Sequence, residues 1–190
     1  MGLLLIFYKN FVIIIIENEK EKRYGIMIEL KGIDRLNKVV NDFTAQFGVT
    51  AELGPEFQAF CDNNHINFAI NYDEEDGQYF LADVEKRYPE IEADIFIWCL
   101  LHEIGHCRTE HLWSAEEAEY FEYQKEQLAC NIEDDQLRND WYHAVPDEFF
   151  ATKWAGDYMM EHIEEVAKFY YDFEEALNMF YAENCVIGVA

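Results

Sequence analysis

The amino-acid sequence predicts a predominantly helical α+β fold with a small mixed sheet. Apolar residues recur at helical spacing over most of the chain, first at residues 33–47. Residues 65–72 instead alternate apolar and polar side chains, as a half-buried strand does. No internal repeat or Pro/Gly-rich linker interrupts residues 27–190, so we expect them to form one domain.

The composition is that of a packed globular protein with a strongly acidic surface. Hydrophobic residues make up 51% of the 190 residues, and the formal net charge is −25. Such a charge opposes binding to nucleic acids and to anionic membranes, because phosphate groups repel an acidic surface. It is compatible with a protein or peptide as the partner.

The cysteine content predicts reduced thiols in a cytoplasmic protein. The chain has an odd number of cysteines and no C-x-x-C pair. Cys107 directly follows one of the histidines discussed below and should point about 100° away from it on a helix. We therefore expect it to pack rather than to bind a metal. The full set is Cys61, Cys99, Cys107, Cys130 and Cys185.

The first 26 residues allow two interpretations. Apolar runs at 3–8 and 11–16 flank Lys9 and Asn10, and each run is too short to cross a membrane. The runs could form a β-hairpin, with a third strand at 24–30. Alternatively, translation begins at Met27 and the upstream segment is an annotation artefact.

The remaining elements follow from local periodicity and from capping residues. Pro89 and Pro146 suit the first turns of helices, and Ser114 followed by Glu117 forms a capping box. The predicted elements are a helix at 56–62, a strand at 65–72, a turn at 73–77, a strand at 79–81, and helices at 82–87, 89–107, 115–132, 146–162 and 164–181, with a short helix or loop at 137–144.

One pentapeptide carries chemistry: His102-Glu103-Ile104-Gly105-His106 has the form H-E-x-x-H. On a helix, His102 and His106 lie on one face and can bind one Zn²⁺ ion. Glu103 is rotated by about 100° from His102, so it can contact a water molecule and take its proton as a general base. Alternatively, two core histidines form hydrogen bonds there. The apolar run 95–101 indicates a buried helix and favours the metal.

The third metal ligand has two candidates, Glu126 and Glu148. In one zinc-peptidase pattern, a third histidine follows six residues after the second. Here that position is Leu112, and His111 lies one residue before it. Glu126 belongs to a segment that reads as an ordinary charged helix. Glu148 is favoured because Ala151 and Ala155 would let its helix approach the motif helix closely. We expect three aromatic residues to pack at this approach: Phe149, Phe150 and Trp154.

The two motifs together resemble those of small gluzincin peptidases of prophages and mobile elements, the repressor-cleaving type. H-E-x-x-H is followed by E-x-x-A-x-x-W-A at 148–155, and the resemblance covers roughly residues 66–162. It implies a zincin-like fold, with His102, His106 and Glu148 as zinc ligands and Glu103 as the base. The 41 residues between His106 and Glu148 are more than such minimal enzymes have, and no DNA-binding domain is recognisable.

The sequence therefore predicts a zinc metallopeptidase. An extended peptide would pair with an edge strand near 65–72. Tyr142 and His143 are candidates to stabilise the oxyanion, and Asp147 and Asp157 to orient the ligand imidazoles. The alternative is a non-catalytic zinc protein of a phage or mobile element that regulates a partner by contact.

Overall fold

The structure, a computed structural model, describes residues 2–8, 11–18, 22–29, 31–70 and 74–184. Side chains are described for residues 31–70 and 77–184. Residues 71–73, the end of the predicted strand and the start of the predicted turn, lie outside the described residues, and so does Cys185. Among the described helices, none is long and apolar enough to cross a bilayer.

Three strands near the N-terminus form an antiparallel sheet: β1 (Gly2–Tyr8), β2 (Phe11–Asn18) and β3 (Lys22–Glu29). Their order is β1-β2-β3. The pairing of β1 with β2 is that of the hairpin predicted from the two apolar runs, and β3 begins two residues before the predicted third strand. Runs of isoleucine and valine favour this extended backbone.

A second sheet of three short strands is mixed, in agreement with the predicted fold class. Its strands are β4 (Thr50–Leu53), β5 (Gln58–Phe60) and β6 (His65–Phe68). The order is β4-β6-β5, with β6 parallel to β4 and antiparallel to β5. The predicted strand at 65–72 is therefore present over its first four residues. It is the central strand, so the prediction that it forms an edge is wrong.

Helix α1 (Ile33–Thr44) covers the outer edge of β4. The side-chain amide of Asn41 donates a hydrogen bond to the carbonyl of Ala51, and its oxygen accepts one from the Ala51 N–H at 2.8 Å. Asn37 accepts a hydrogen bond from the Leu53 N–H at 2.9 Å. These side chains satisfy backbone groups that an edge strand otherwise leaves open. Within the described strands, none pairs with the outer edge of β5.

Three elements predicted between α1 and the motif are wrong. The helix expected at 56–62 is replaced by β5 and a 3-10 turn, Cys61–Asn63, because pairing with β6 outweighs the local helical signal. The turn at 73–77 and the strand at 79–81 are replaced by helix α2 (Glu74–Arg87), as far as this stretch is described. Phe80 and Val84, one helical turn apart, are both buried, so the apolar residues of this segment follow the period of a helix and not that of a strand.

The motif lies on helix α3 (Ile95–Thr109), which begins later than predicted. The Asp94 side chain accepts a hydrogen bond from the Phe96 N–H at 2.8 Å and caps the helix, so Pro89 lies outside it. All side chains from Phe96 to Leu101 are buried, as the apolar run predicted. The Phe96 ring stacks on Phe173 with centroids 3.8 Å apart. Helix α3 is thus a central element of the core.

Four further helices complete the described fold: α4 (Ala115–Asn131), α5 (Asp135–Tyr142), α6 (Pro146–Glu161) and α7 (Ile163–Asn184). They agree with the predicted positions to within a few residues. The predicted capping box at the start of α4 is present, since Ser114 and Glu117 exchange hydrogen bonds.

Helices α3 and α6 cross at very short range. A Cβ atom added to Gly105 would lie 2.5 Å from the carbonyl oxygen of Ala151, and Ala151 and Ala155 are fully buried. The predicted small-residue contact is therefore present. Phe149 and Phe150 are partly exposed: Arg87 lies over the Phe149 ring, and the Phe150 ring meets Trp113, which follows α3.

Replacing Gly105 with Ala should lower the free energy of unfolding by about 2–3 kcal/mol, because the methyl group would collide with backbone atoms that cannot rotate away. Urea unfolding of the metal-free protein measures the effect. Gly48→Ala is the control: Gly48 has a φ of 72° but no neighbour within 4 Å of an added Cβ, so only strain of about 1 kcal/mol is expected. A Gly105→Ala protein as stable as the unchanged one would contradict the tight crossing.

Candidate metal centre

Helices α3 and α6 bring three potential ligand atoms together. His102 and His106 project from one face of α3, and Glu148 lies in the first turn of α6. His102 Nε2 is 3.1 Å from His106 Nε2 and 3.1 Å from Glu148 Oε2, and His106 Nε2 is 3.5 Å from the same oxygen. These side chains form a buried or half-buried group that could hold a metal ion.

The spacing of the three atoms fits a tetrahedral ion. Ligand atoms at about 2.0–2.1 Å from a tetrahedral zinc lie roughly 3.3 Å from one another. The observed separations of 3.1 to 3.5 Å bracket that value. The residues present therefore fit an ion of this coordination without rearrangement of either helix.

Thr152 orients the first imidazole. Its hydroxyl oxygen lies 3.0 Å from His102 Nδ1, and its side chain is completely buried. With the proton on Nδ1, His102 donates to Thr152 and directs the lone pair of Nε2 towards the other two ligands. The prediction that Asp147 or Asp157 holds an imidazole is wrong, because Asp147 contacts Lys125 and Asp157 pairs with Lys153 on the surface.

His106 and Glu148 form a strongly coupled charge pair. Burial by itself lowers the pKa of His106, but the adjacent Glu148 carboxylate raises it to about 9. Burial alone would raise the pKa of Glu148, whereas the charge of His106 and hydrogen bonds from both histidines hold it well below its usual range. The group therefore favours positive charge beside Glu148, and a proton on His106 and a metal ion would compete to supply it.

Lys125 is a component of the site that the sequence reasoning missed. Its Nζ lies 3.1 Å from Glu148 Oε1 and 2.9 Å from Asp147 Oδ2, and only 13% of its side chain is exposed. The segment was read as an ordinary charged helix. The available signal was that Lys125 is the only cationic residue of α4, which also contains five glutamates.

A cavity of about 970 Å³ opens beside these three side chains. Glu103 is half-buried and lines it together with His102, His106 and Glu148. The base predicted from the motif thus faces the same space as the proposed metal ligands. Residues of β5 and of α4 form other parts of the wall.

Tyr142 and His143, both predicted from the sequence, also line this cavity. The Tyr142 side chain lies near Glu148, and burial followed by the Glu148 charge raises the pKa of its hydroxyl above the ordinary value. His143 is buried, stacks on Phe80 and has an Nδ1 atom without a hydrogen-bond partner in the described part of the chain. Burial and the nearby His102 lower the pKa of His143 to about 3, so its ring is neutral.

The other candidates for the third ligand lie elsewhere. Glu126 is exposed on α4 and His111 is exposed in the 3-10 turn after α3, and neither belongs to the metal-binding group. No disulfide joins the described cysteines. Cys107 is half-buried beside Cys61 and does not belong to the group that could hold a metal, so it packs as expected.

Comparison with known proteins assigns no family. No protein-family model matches the chain, and neither a curated protein nor a solved structure is significantly similar to it. The geometry of these side chains is therefore the basis for the functional inference.

Glu148→Ala should remove most of the bound metal, because one of three ligand atoms is lost. Glu126→Ala, which removes a carboxylate from the exposed face of α4, should leave the metal content unchanged. Elemental analysis of both proteins after equilibration with zinc measures the difference. Full occupancy in Glu148→Ala would show that another group supplies the third ligand.

Metal binding near neutral pH should release about one proton, because His106 must lose the proton that it holds up to a pKa of about 9. Because the pKa of His106 is raised, protons compete with the metal below pH 9, and zinc affinity should fall roughly tenfold for each pH unit below that value. Calorimetric titration with zinc in two buffers of different ionisation enthalpy counts the protons. Binding at pH 7 without proton release would contradict the charge pair.

Proposed function

We propose that the protein is a zinc-dependent peptidase in which Glu103 acts as the general base. The observation that carries this proposal is the convergence of His102 Nε2, His106 Nε2 and Glu148 Oε2 at the wall of a cavity that Glu103 also lines. A purely structural metal site would not require Glu103, a carboxylate outside these three side chains, at the same cavity wall.

Zinc is the metal that this set of residues suits best. Two imidazoles and one carboxylate are also the ligands of non-haem Fe²⁺ sites, so the ligand types alone do not select zinc. Glu103, placed next to a ligand in H-E-x-x-H, is the feature typical of zinc hydrolases. Bound zinc would supply Lewis acidity towards a carbonyl group and lower the pKa of water to about 7.

The protein's own groups have distinct roles in this proposal. The Glu103 carboxylate accepts a proton from the attacking water and passes it to the leaving amine. The Tyr142 hydroxyl stays protonated because its pKa is raised, so it can donate a hydrogen bond to the developing oxyanion. His143 is neutral and can donate through one ring nitrogen.

The substrate chain would add to the outer edge of β5. The edge of β4 is closed by hydrogen bonds from Asn37 and Asn41, and β6 is the central strand. Phe57, Gln58 and Ala59 line the cavity, so a peptide extended along β5 would run past the proposed metal ligands. Pairing of this kind supplies backbone hydrogen bonds in β-augmentation.

Two further observations support a peptide as substrate and the cytoplasm as the compartment. The motifs at 102–106 and 148–155 resemble those of small prophage gluzincins, whose substrates are proteins. The described cysteines form no disulfide, which suits a reducing compartment.

Glu103→Gln should retain zinc and lower peptide hydrolysis by about 10²–10⁴-fold, because the amide cannot accept the proton of water. Hydrolysis of a quenched-fluorescent peptide library by zinc-loaded protein gives the rate, and elemental analysis gives the occupancy. Glu110→Gln, which changes an exposed carboxylate on the same cavity wall, is the control and should keep the rate within a few-fold.

Unchanged turnover in Glu103→Gln would rule out this mechanism. If the unchanged, zinc-loaded protein cleaves no member of the library, the non-catalytic regulatory alternative replaces the peptidase proposal.

A further inference from the structure

We propose that Lys125 is a positioning residue for the metal: it holds one oxygen of Glu148 so that only the other faces the two histidines. The inference rests on the proposed metal site. It gives α4 a function at the site. This helix contributes none of the three proposed ligands, and the H-E-x-x-H motif gives no indication that it takes part.

The two oxygens of Glu148 have different partners. Oε2 lies 3.1 Å from His102 Nε2 and 3.5 Å from His106 Nε2. Oε1 accepts a hydrogen bond from Lys125 Nζ at 3.1 Å. A cation shared with the histidines would therefore be bound through Oε2 alone, and Lys125 would keep Glu148 from binding through both oxygens.

The environment of Lys125 holds its ammonium group in place. Besides Glu148, the group contacts Asp147 at 2.9 Å and Glu122 on its own helix, and it lies 5.9 Å from the centre of the Tyr142 ring. Three carboxylates thus surround one ammonium group that is largely withdrawn from water. Solvent screens an ion pair of limited exposure less than a surface pair. The contact with Lys125 can therefore hold the Glu148 side chain in one orientation.

Two effects of removing Lys125 oppose each other, which makes the test decisive. Loss of a positive charge near the site would strengthen the attraction for a divalent cation. Loss of the hydrogen bond to Oε1 would let Glu148 rotate and would leave the carboxylates of Asp147 and Glu148 to repel one another. We expect orientation to dominate, because partners of metal ligands typically contribute 10–100-fold to metal affinity.

The test is the zinc affinity of full-length Lys125→Met, measured by competition with a fluorescent chelator at constant pH and ionic strength. Zinc should bind about 10–100-fold more weakly than to the unchanged protein. Lys125→Arg, which keeps a cationic donor, should recover most of the affinity. Lys168→Met is the matched control, because Lys168 forms an exposed pair with Asp172 on α7 and should have no effect.

Co²⁺ provides a second measurement that a merely structural role would not change. Substituted Co²⁺ absorbs visible light more strongly at four-coordinate sites than at sites of higher coordination. Lys125→Met should weaken this absorption, since Glu148 becomes free to bind through both oxygens. If Lys125→Met does not fold, judged by circular dichroism, the same measurements are made on Lys125→Gln, which lacks the charge but keeps a polar group.

The outcomes separate this inference from the proposed function. Zinc affinity and a Co²⁺ spectrum equal to those of the unchanged protein, or tighter zinc binding in Lys125→Met, would overturn the role of Lys125 while leaving the metal site intact. Failure of the unchanged protein itself to bind zinc would overturn the metal site, and the inference with it.

Discussion

The close crossing of α3 and α6 is the contact on which the proposed site depends. Gly105 has no side chain at the point where the backbone of Ala151 approaches, so the two helix axes can come near enough for a glutamate to reach two histidines. His102 lies one turn before Gly105, and Glu148 lies one turn before Ala151. The same contact thus contributes to the core and places the three potential ligand atoms 3.1 to 3.5 Å apart.

Charge balance is the second constraint, because a carboxylate and two imidazoles are withdrawn from water at this crossing. Buried polar groups need partners, and here Thr152 contacts His102 while Lys125 contacts Glu148. A chain with a net charge of −25 has few basic residues relative to its acidic ones. One of its 14 lysine and arginine residues, Lys125, lies between three carboxylates and offsets part of their negative charge.

The two edges of the β4-β6-β5 sheet differ in whether their backbone groups are already hydrogen-bonded. Side-chain amides of Asn37 and Asn41 satisfy backbone groups of β4, while β5 borders the cavity that contains the proposed metal ligands. Among the described strands of this sheet, the outer edge of β5 is therefore the one at which an extended peptide could pair within reach of the proposed site. The asymmetry also reduces the exposed edge that could pair with another molecule.

The sequence by itself determined the long helices and the apolar environment of the motif, and it favoured Glu148 over Glu126, because each of these is encoded by local periodicity, caps or small residues. It could not place β6 in the centre of its sheet or recognise β5 as a strand, since strand order depends on contacts between distant segments. It also gave no means to choose Thr152 and Lys125 among many hydroxyls and charges. Only the tertiary structure decided those partners, because hydrogen bonds between side chains 23 and 50 residues apart depend on how the helices pack and not on local spacing.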